Sequence, residues 1–255
     1  MTSKGPWPGR FIWHDLVTKD AARAQTFYAQ LFGWTFQESQ MAGFSYRMIM
    51  AGPGPIGGIM QEPSIPMAHW MPYVAVEDVD SAAKKCKELG GSVCVGPTDI
   101  PNTGRFAVIG DPQGGYLSIY RGNEASQGFD PDQPVPGRVC WNELLTTDDK
   151  AACRFYADMF GWRDQPKDMG PMGTYHVQML RDQQAGGIMR NPQPQPGMPP
   201  CWIAYFLAPD LDASARKAQA LGATICIPPS PIPGIGRFAY LTDPTGAMFA
   251  LFQPQ

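Results

Sequence analysis

Long apolar runs are missing from this chain. No stretch approaches the roughly 18 consecutive apolar residues of a membrane span, so no membrane partner is expected. An excess of charge is missing too. Twenty Lys and Arg against 23 Asp and Glu give a formal net charge of −3, which offers no basic footprint for nucleic acid. The opening MTSKGPWPG has no apolar run, so no secretion signal is expected. The six cysteines (Cys86, Cys94, Cys140, Cys153, Cys201 and Cys226) form no CxxC. They are read as buried free thiols in a reducing compartment, and a cytoplasmic location follows. Histidine is scarce, with three in the chain, and no Ser-His-acid or Cys-His arrangement can be built from spacing. The Gly-rich Gly52–Gly58 lacks the Lys-Ser/Thr ending and the following helix of a phosphate loop.

What the chain does have is a repeat. RFIWHDLVTKDAARAQTFYAQLFGW, Arg10 to Trp34, returns without a gap as RVCWNELLTTDDKAACRFYADMFGW, Arg138 to Trp162. Tyr46 matches Tyr175, Gly57-Gly58-Ile-Met matches Gly186-Gly187-Ile-Met, and Trp70 matches Trp202. Pro-x-x-Gly-Arg-Phe-Ala recurs around Arg105 and Arg237, and Asp-Pro-x-Gly recurs at Asp111 and Asp243. A repeat is read before any fold. The 255 residues suit two domains of about 125 residues each, set at 8–122 and 137–253 with a Pro-containing linker over 123–136. Asn191 to Pro200 is a second Pro-rich connector.

Within each half the apolar periodicity changes twice from strand to helix. Phe11 to Thr18 reads as a strand, and the stripe Ala24, Phe27, Tyr28, Leu31, Phe32 reads as a helix begun by Thr18 or Asp20 and ended at Gly33. Strands follow at Trp34–Ser39, Phe44–Ala51 and Ile56–Met60. Trp70–Val76 is a strand, Val79–Leu89 a helix, and Val93–Val95, Phe106–Ile109 and Tyr116–Tyr120 are strands. Each half is β-α-β-β-β written twice. The fold class is α+β, with four βαβββ units in two tandem domains.

This order, with Phe-Tyr, Phe-Gly-Trp and Asp-Pro-x-Gly in place, resembles the vicinal oxygen chelate superfamily of glyoxalases, bleomycin-resistance proteins and extradiol dioxygenases. The resemblance implies tandem glyoxalase/bleomycin-resistance-like domains whose curved sheets enclose a cleft, where metal-dependent members hold a divalent ion. The family's first ligand position falls on Trp13 and Trp141, the next on Met71 and Ile203, and the last on Ser118 and Ala250. The strands where a further carboxylate is implied, Phe44–Met50 and Tyr175–Leu180, hold no Asp or Glu. A metal is therefore disfavoured, and the cofactor expectation is none.

The expected function is metal-free binding of a small planar or aromatic molecule, for sequestration or resistance. Trp13, Met48, Met71 and Tyr73 would line one cleft, and Trp141, Met179, Ile203 and Tyr205 the other. Asp15 and Glu143, each two residues after its Trp, are inward carboxylates and candidate acid/base groups, with Arg105 and Arg237 as expected partners. The alternative is a lyase or isomerase using Asp15 or Glu143, or a metal-dependent glyoxalase or dioxygenase. The expected partner is a small organic molecule, and the expected assembly a monomer or homodimer.

Overall fold

The computed structural model describes residues 8–41, 44–52, 54–123, 135–192 and 199–255. Most of the expected linker over 123–136 and much of the connector Asn191–Pro200 lie outside the described residues.

Four βαβββ modules follow one another. The first is β1 (Phe11–Thr18), α1 (Ala21–Phe32), β2 (Thr35–Met41), β3 (Phe44–Ala51) and β4 (Gly54–Gln61). The second is β5 (His69–Ala75), α2 (Val79–Glu88), β6 (Ser92–Ile100), β7 (Gly104–Gly110) and β8 (Tyr116–Gly122). The third is β9 (Val139–Thr146), α3 (Asp149–Phe160), β10 (Arg163–Asp168), β11 (Thr174–Leu180) and β12 (Gln183–Arg190). The fourth is β13 (Cys201–Leu207), α4 (Leu211–Ala220), β14 (Thr224–Ile232), β15 (Gly236–Thr242) and β16 (Met248–Pro254). Two eight-stranded sheets result, ordered β2-β3-β4-β1-β5-β8-β7-β6 and β10-β11-β12-β9-β13-β16-β15-β14.

The helices start where an Asp can cap them. Asp20, Asp78, Asp148 and Asp210 each accept from the backbone N–H three residues on, satisfying a donor that the first helical turn leaves open. α1 and α3 end on Gly33 and Gly161 in the left-handed region, at φ 73° and 72°, which glycine adopts without a Cβ penalty.

β6 and β14 run well beyond the three residues Val93–Val95 read for the first of them. Both hold prolines, Pro97 in one and Pro228, Pro229 and Pro231 in the other. They are the outer strands of their sheets, paired on one side and broken by register shifts. An outer strand accommodates proline, which has no N–H to give to a second neighbour. Cys94 and Cys226 sit on these strands and are exposed, which corrects the expectation that all six thiols are buried.

Two compact units emerge. One gathers mainly the second and third modules, the other mainly the first and fourth. Each is built around the same lock. In the first unit the Tyr156 hydroxyl donates to Asp111 Oδ2 at 3.0 Å and accepts from Trp202 Nε1 at 3.1 Å, while Trp162 Nε1 donates to the Gly9 carbonyl at 2.8 Å. In the second unit Tyr28 donates to Asp243 Oδ2 at 3.0 Å and accepts from Trp70 Nε1 at 3.0 Å, while Trp34 Nε1 donates to the Gly137 carbonyl at 2.9 Å. The repeated Phe-Tyr, Phe-Gly-Trp, Trp and Asp-Pro-x-Gly motifs recur because these residues meet in each core. Aromatic bodies bury area while their polar ends find partners.

Candidate functional site

The inward acids take tyrosines as partners. Asp15 is buried, and Oδ1 accepts the Tyr46 hydroxyl at 2.7 Å. Glu143 is buried and hydrogen-bonded to Tyr175, whose hydroxyl also accepts from Trp141 Nε1 at 2.7 Å. Burial, and then the Glu143 charge, push the Tyr175 hydroxyl well above its ordinary pKa, so it stays a donor. Parallel pairing sets Asp15 opposite Gly58 and Glu143 opposite Gly187. A Cβ at either glycine would fall on the tyrosine hydroxyl. We expect Gly187→Ala to destabilise the protein by roughly 1–3 kcal/mol, since overpacking must displace Tyr175. Urea unfolding at wild-type stability would refute that reading of the Gly-Gly repeat.

Arg105 and Arg237 do not pair with Asp15 and Glu143. Arg105 bonds Asp80 at 2.7 and 2.9 Å and Asp99 at 2.7 Å, and Arg237 bonds Asp212 at 2.6 and 3.1 Å. Each ties its strand to the first turn of α2 or α4, where a carboxylate is favoured by the helix dipole. Trp13, Met48 and Trp141 are half-buried, and Met71, Tyr73, Met179, Ile203 and Tyr205 are buried. Tyr73 packs edge-on to Tyr120, and the Tyr205 and Tyr240 hydroxyls are 2.8 Å apart. Trp141 and Glu143 come together through Tyr175 in the first unit, while Asp15 and Tyr46 belong to the second.

The family's ligand positions do not fit a metal. Trp13, Met71, Trp141, Ile203 and Ala250 bring no oxygen or imidazole donor, and Ser118 brings a buried hydroxyl alone. A different cluster does fit. On α3, Asp149 and Cys153 are one turn apart and share a buried face. In the antiparallel β10–β11 pair, Asp164 lies opposite Gln178, and His176, two residues before Gln178, shares its face. His176 Nδ1 is 2.8 Å from Asp164 Oδ2, and Nε2 is 3.3 Å from Asp149 Oδ2. Gln178 Nε2 donates to Cys153 Sγ at 3.4 Å, to Asp164 Oδ1 at 3.3 Å and to the His176 carbonyl at 3.3 Å.

The ligand atoms of Cys153, Asp164 and His176 all lie within 4.8 Å of one another. Sulfur, carboxylate oxygen and imidazole nitrogen form a donor set suited to a borderline divalent ion such as zinc. Burial, then the charges of Asp164 and Asp149, push the Cys153 thiol up to about 12. Beside it, Gln178 Oε1 is buried and has no partner among the described residues; such an atom calls for a water or an ion. The Asp164 side chain is about one-third exposed, so the cluster opens to solvent on one edge.

This cluster overturns two expectations: that the chain carries no metal cofactor, and that its function is metal-free binding. Cys153 is the buried free thiol expected, and it is also one of the three candidate donors. The physical reason for both corrections is that the donors come from a helix, the outer strand β10 and a histidine on its neighbour β11, and none of them stands at a position where the family resemblance sets a ligand. Sequence spacing alone gave no sign of it, but a comparison of the two halves would have. The first half carries Ala21, Gln25, Phe36, Arg47 and Ile49 where the second carries Asp149, Cys153, Asp164, His176 and Gln178.

The sequence model of the Glyoxalase/Bleomycin resistance protein/Dioxygenase superfamily matches residues 10–119 and 138–251. The chain is 34% identical over 252 residues to the putative glyoxylase CFP32 of Mycobacterium bovis, covering 95% of this chain and 94% of that protein. It is 31% identical over 264 residues to the anthracycline biosynthesis protein DauV of a Streptomyces species, covering 96% and 94%. Among solved structures, the Mn(II)-bound glyoxalase from Novosphingobium aromaticivorans superposes with a TM-score of 0.66 at 15% identity, covering 96% of this chain and 82% of that one. The 2,3-dioxygenase LapB from a Pseudomonas species gives 0.66 at 12%, covering 97% and 93%. At such identities the likeness is one of fold. No helix among the described residues is long and apolar enough to cross a membrane.

Proposed function

The chain belongs to the glyoxalase/bleomycin resistance protein/dioxygenase superfamily, and from that premise we propose that it is a metal-using enzyme acting on a small organic molecule. The observation that carries this reading is the convergence of Cys153, Asp164 and His176. The relatives named for glyoxylase and for anthracycline biosynthesis support an enzyme of small-molecule metabolism.

Three protein donors are the number that catalytic zinc sites commonly use, leaving a position for substrate or water. A bound divalent ion supplies Lewis acidity toward a substrate oxygen. The chain's own residues supply the rest. Cys153 and His176 give the buried donors, and Asp164 gives a charged donor at the solvent edge. Gln178 holds Cys153 and Asp164 from one side by donating to both. Glu143 and Tyr175 are a separate pair. Tyr175 and His176 are neighbours in β11, so their side chains take opposite faces of the sheet. The residues on the Trp141 face lie across the sheet from the three donors, so a substrate of this site is proposed to approach from the solvent edge at Asp164.

The test begins with protein purified under reducing conditions, stripped by a chelator and reloaded with zinc, cobalt(II), iron(II) or manganese(II). The expected outcome is uptake of about one ion per chain, with turnover of dicarbonyl or catechol substrates restored only by an ion the protein retains. Absence of uptake for all four ions would overturn the reading.

A further inference from the structure

The site's fourth polar neighbour, Asp149, has a role that the three donors do not account for. We infer that Asp149 is a positioning residue: it takes the Nε2–H of His176 and so presents Nδ1 as the metal-binding nitrogen. The inference rests on the metal reading above and specifies which atom of His176 carries it.

Three observations meet here. The first is the ring's orientation. Nδ1 points to Asp164 Oδ2 at 2.8 Å, the carboxylate that belongs to the donor set, and Nε2 points to Asp149 Oδ2 at 3.3 Å. A neutral imidazole has one N–H and one lone pair, and the hydrogen bond at one nitrogen decides which role falls to the other. Metal-bound histidines commonly give their second N–H to a carboxylate, which fixes the ring and raises its basicity.

The second observation is the anchoring of Asp149. It is the first residue of α3, buried, with Oδ1 accepting the Lys150 N–H at 3.0 Å and lying 3.9 Å from Arg190 Nε. One carboxylate oxygen is thus engaged by the helix start, and the other faces the ring. Asp149 and Cys153 also leave the same helix face one turn apart, so α3 fixes the ring's orienting group and the thiol together.

The third is the internal repeat. Ala21 occupies the corresponding place in the first half, where Arg47 replaces His176 and Gln25 replaces Cys153. The half without the histidine and thiol is also without the orienting carboxylate. A residue needed only for the helix start would have no reason to differ in step with them, because Asp20 and Asp148 cap the two helices alike.

The test uses full-length protein loaded with zinc, and reads both the tautomer of His176 by nitrogen-15 NMR of the ring and the zinc affinity by competition with a chromophoric chelator. The expected result is a proton on Nε2 in the zinc-loaded wild type. Asp149→Ala should weaken zinc binding about 10–100-fold, and Asp149→Asn, whose amide oxygen can still accept from Nε2–H, should recover most of that loss. Melting of the metal-free variants separates this from a purely structural role, which would lower the melting temperature without moving the tautomer or the affinity. A zinc-loaded wild type with its proton on Nδ1 would overturn the inference, as would Asp149→Ala binding zinc like the wild type. Asp149→Asn binding as weakly as Asp149→Ala would also overturn it, by making Asp149 a direct ligand. Each of these leaves the metal reading standing, whereas failure of the wild type to take up any of zinc, cobalt(II), iron(II) and manganese(II) overturns both.

Discussion

Changing Cys153 to Ser and His176 to Gln together is expected to lower zinc affinity by more than about 100-fold, beyond what changes around a metal's direct ligands cost. Both substitutions are chosen to keep volume and hydrogen bonding. Serine retains a polar atom facing Gln178 Nε2, and glutamine spans the space between Asp149 and Asp164, so neither carboxylate is left facing an empty cavity. The donor set, however, loses its sulfur and its imidazole, the two ligands that favour zinc over the harder cations. The matching control is Gln25→Ser with Arg47→Gln, which alters the corresponding positions of the first half and should leave zinc affinity unchanged. Chelator competition measures both. If the second-half variant binds as the wild type does, the ion lies elsewhere and the proposed function loses its supporting observation.

The fold was legible because the repeat is made of residues that touch. Tyr28 and Tyr156, Trp70 and Trp202, Asp111 and Asp243 carry the same hydrogen bonds in the two cores, so their recurrence in sequence was recurrence of one packing solution. Strand lengths were less legible where prolines interrupt the pattern. Pro97 and the prolines of β14 sit in outer strands that tolerate them, which local propensity does not reveal. The metal cluster was invisible to spacing for a different reason. Cys153, Asp164 and His176 belong to three different elements, and only the cross-strand register of Asp164 with Gln178 and the facing side of α3 bring them together. The family resemblance directed attention to the Trp13 and Trp141 strands, on positions that hold no metal donors. The recurrence of Arg105 and Arg237 in the repeat did not reveal their partners: β7 and β15 aim them toward Asp80 and Asp212 at the starts of α2 and α4, not toward Asp15 and Glu143.

The locks that made the fold legible also set how it responds to pH. Asp111 and Asp243 are buried, and burial raises both carboxyls above their ordinary pKa despite donors that act the other way. Asp111 Oδ1 accepts from the Gln113 and Gly115 N–H groups at 2.9 Å each, and Asp243 Oδ1 accepts from the Thr245 and Ala247 N–H groups at 2.7 and 3.1 Å. A carboxyl whose pKa is higher folded than unfolded binds more protons in the native state over the intervening range. Its contribution to stability is therefore fully present below the unfolded value of about 3.9 and is lost as pH rises through the folded value. The surface acids Asp78, Asp80 and Asp212 are shifted downward by their hydrogen bonds, so they act in the opposite sense, and the comparison must be between wild type and variant. Stability measured by urea at a series of pH values should decline less from pH 4 upward in Asp111→Asn with Asp243→Asn than in the wild type. Tyr156 and Tyr28 are raised well above the ordinary tyrosine value, remain donors throughout this range and do not contribute to the slope. Tyr156→Phe should then lower stability by about 1–3 kcal/mol, because Trp202 Nε1 loses its acceptor and Asp111 Oδ2 its donor. A double Asn variant with the wild-type slope would show that the two buried acids titrate in the folded protein as they do in the unfolded chain.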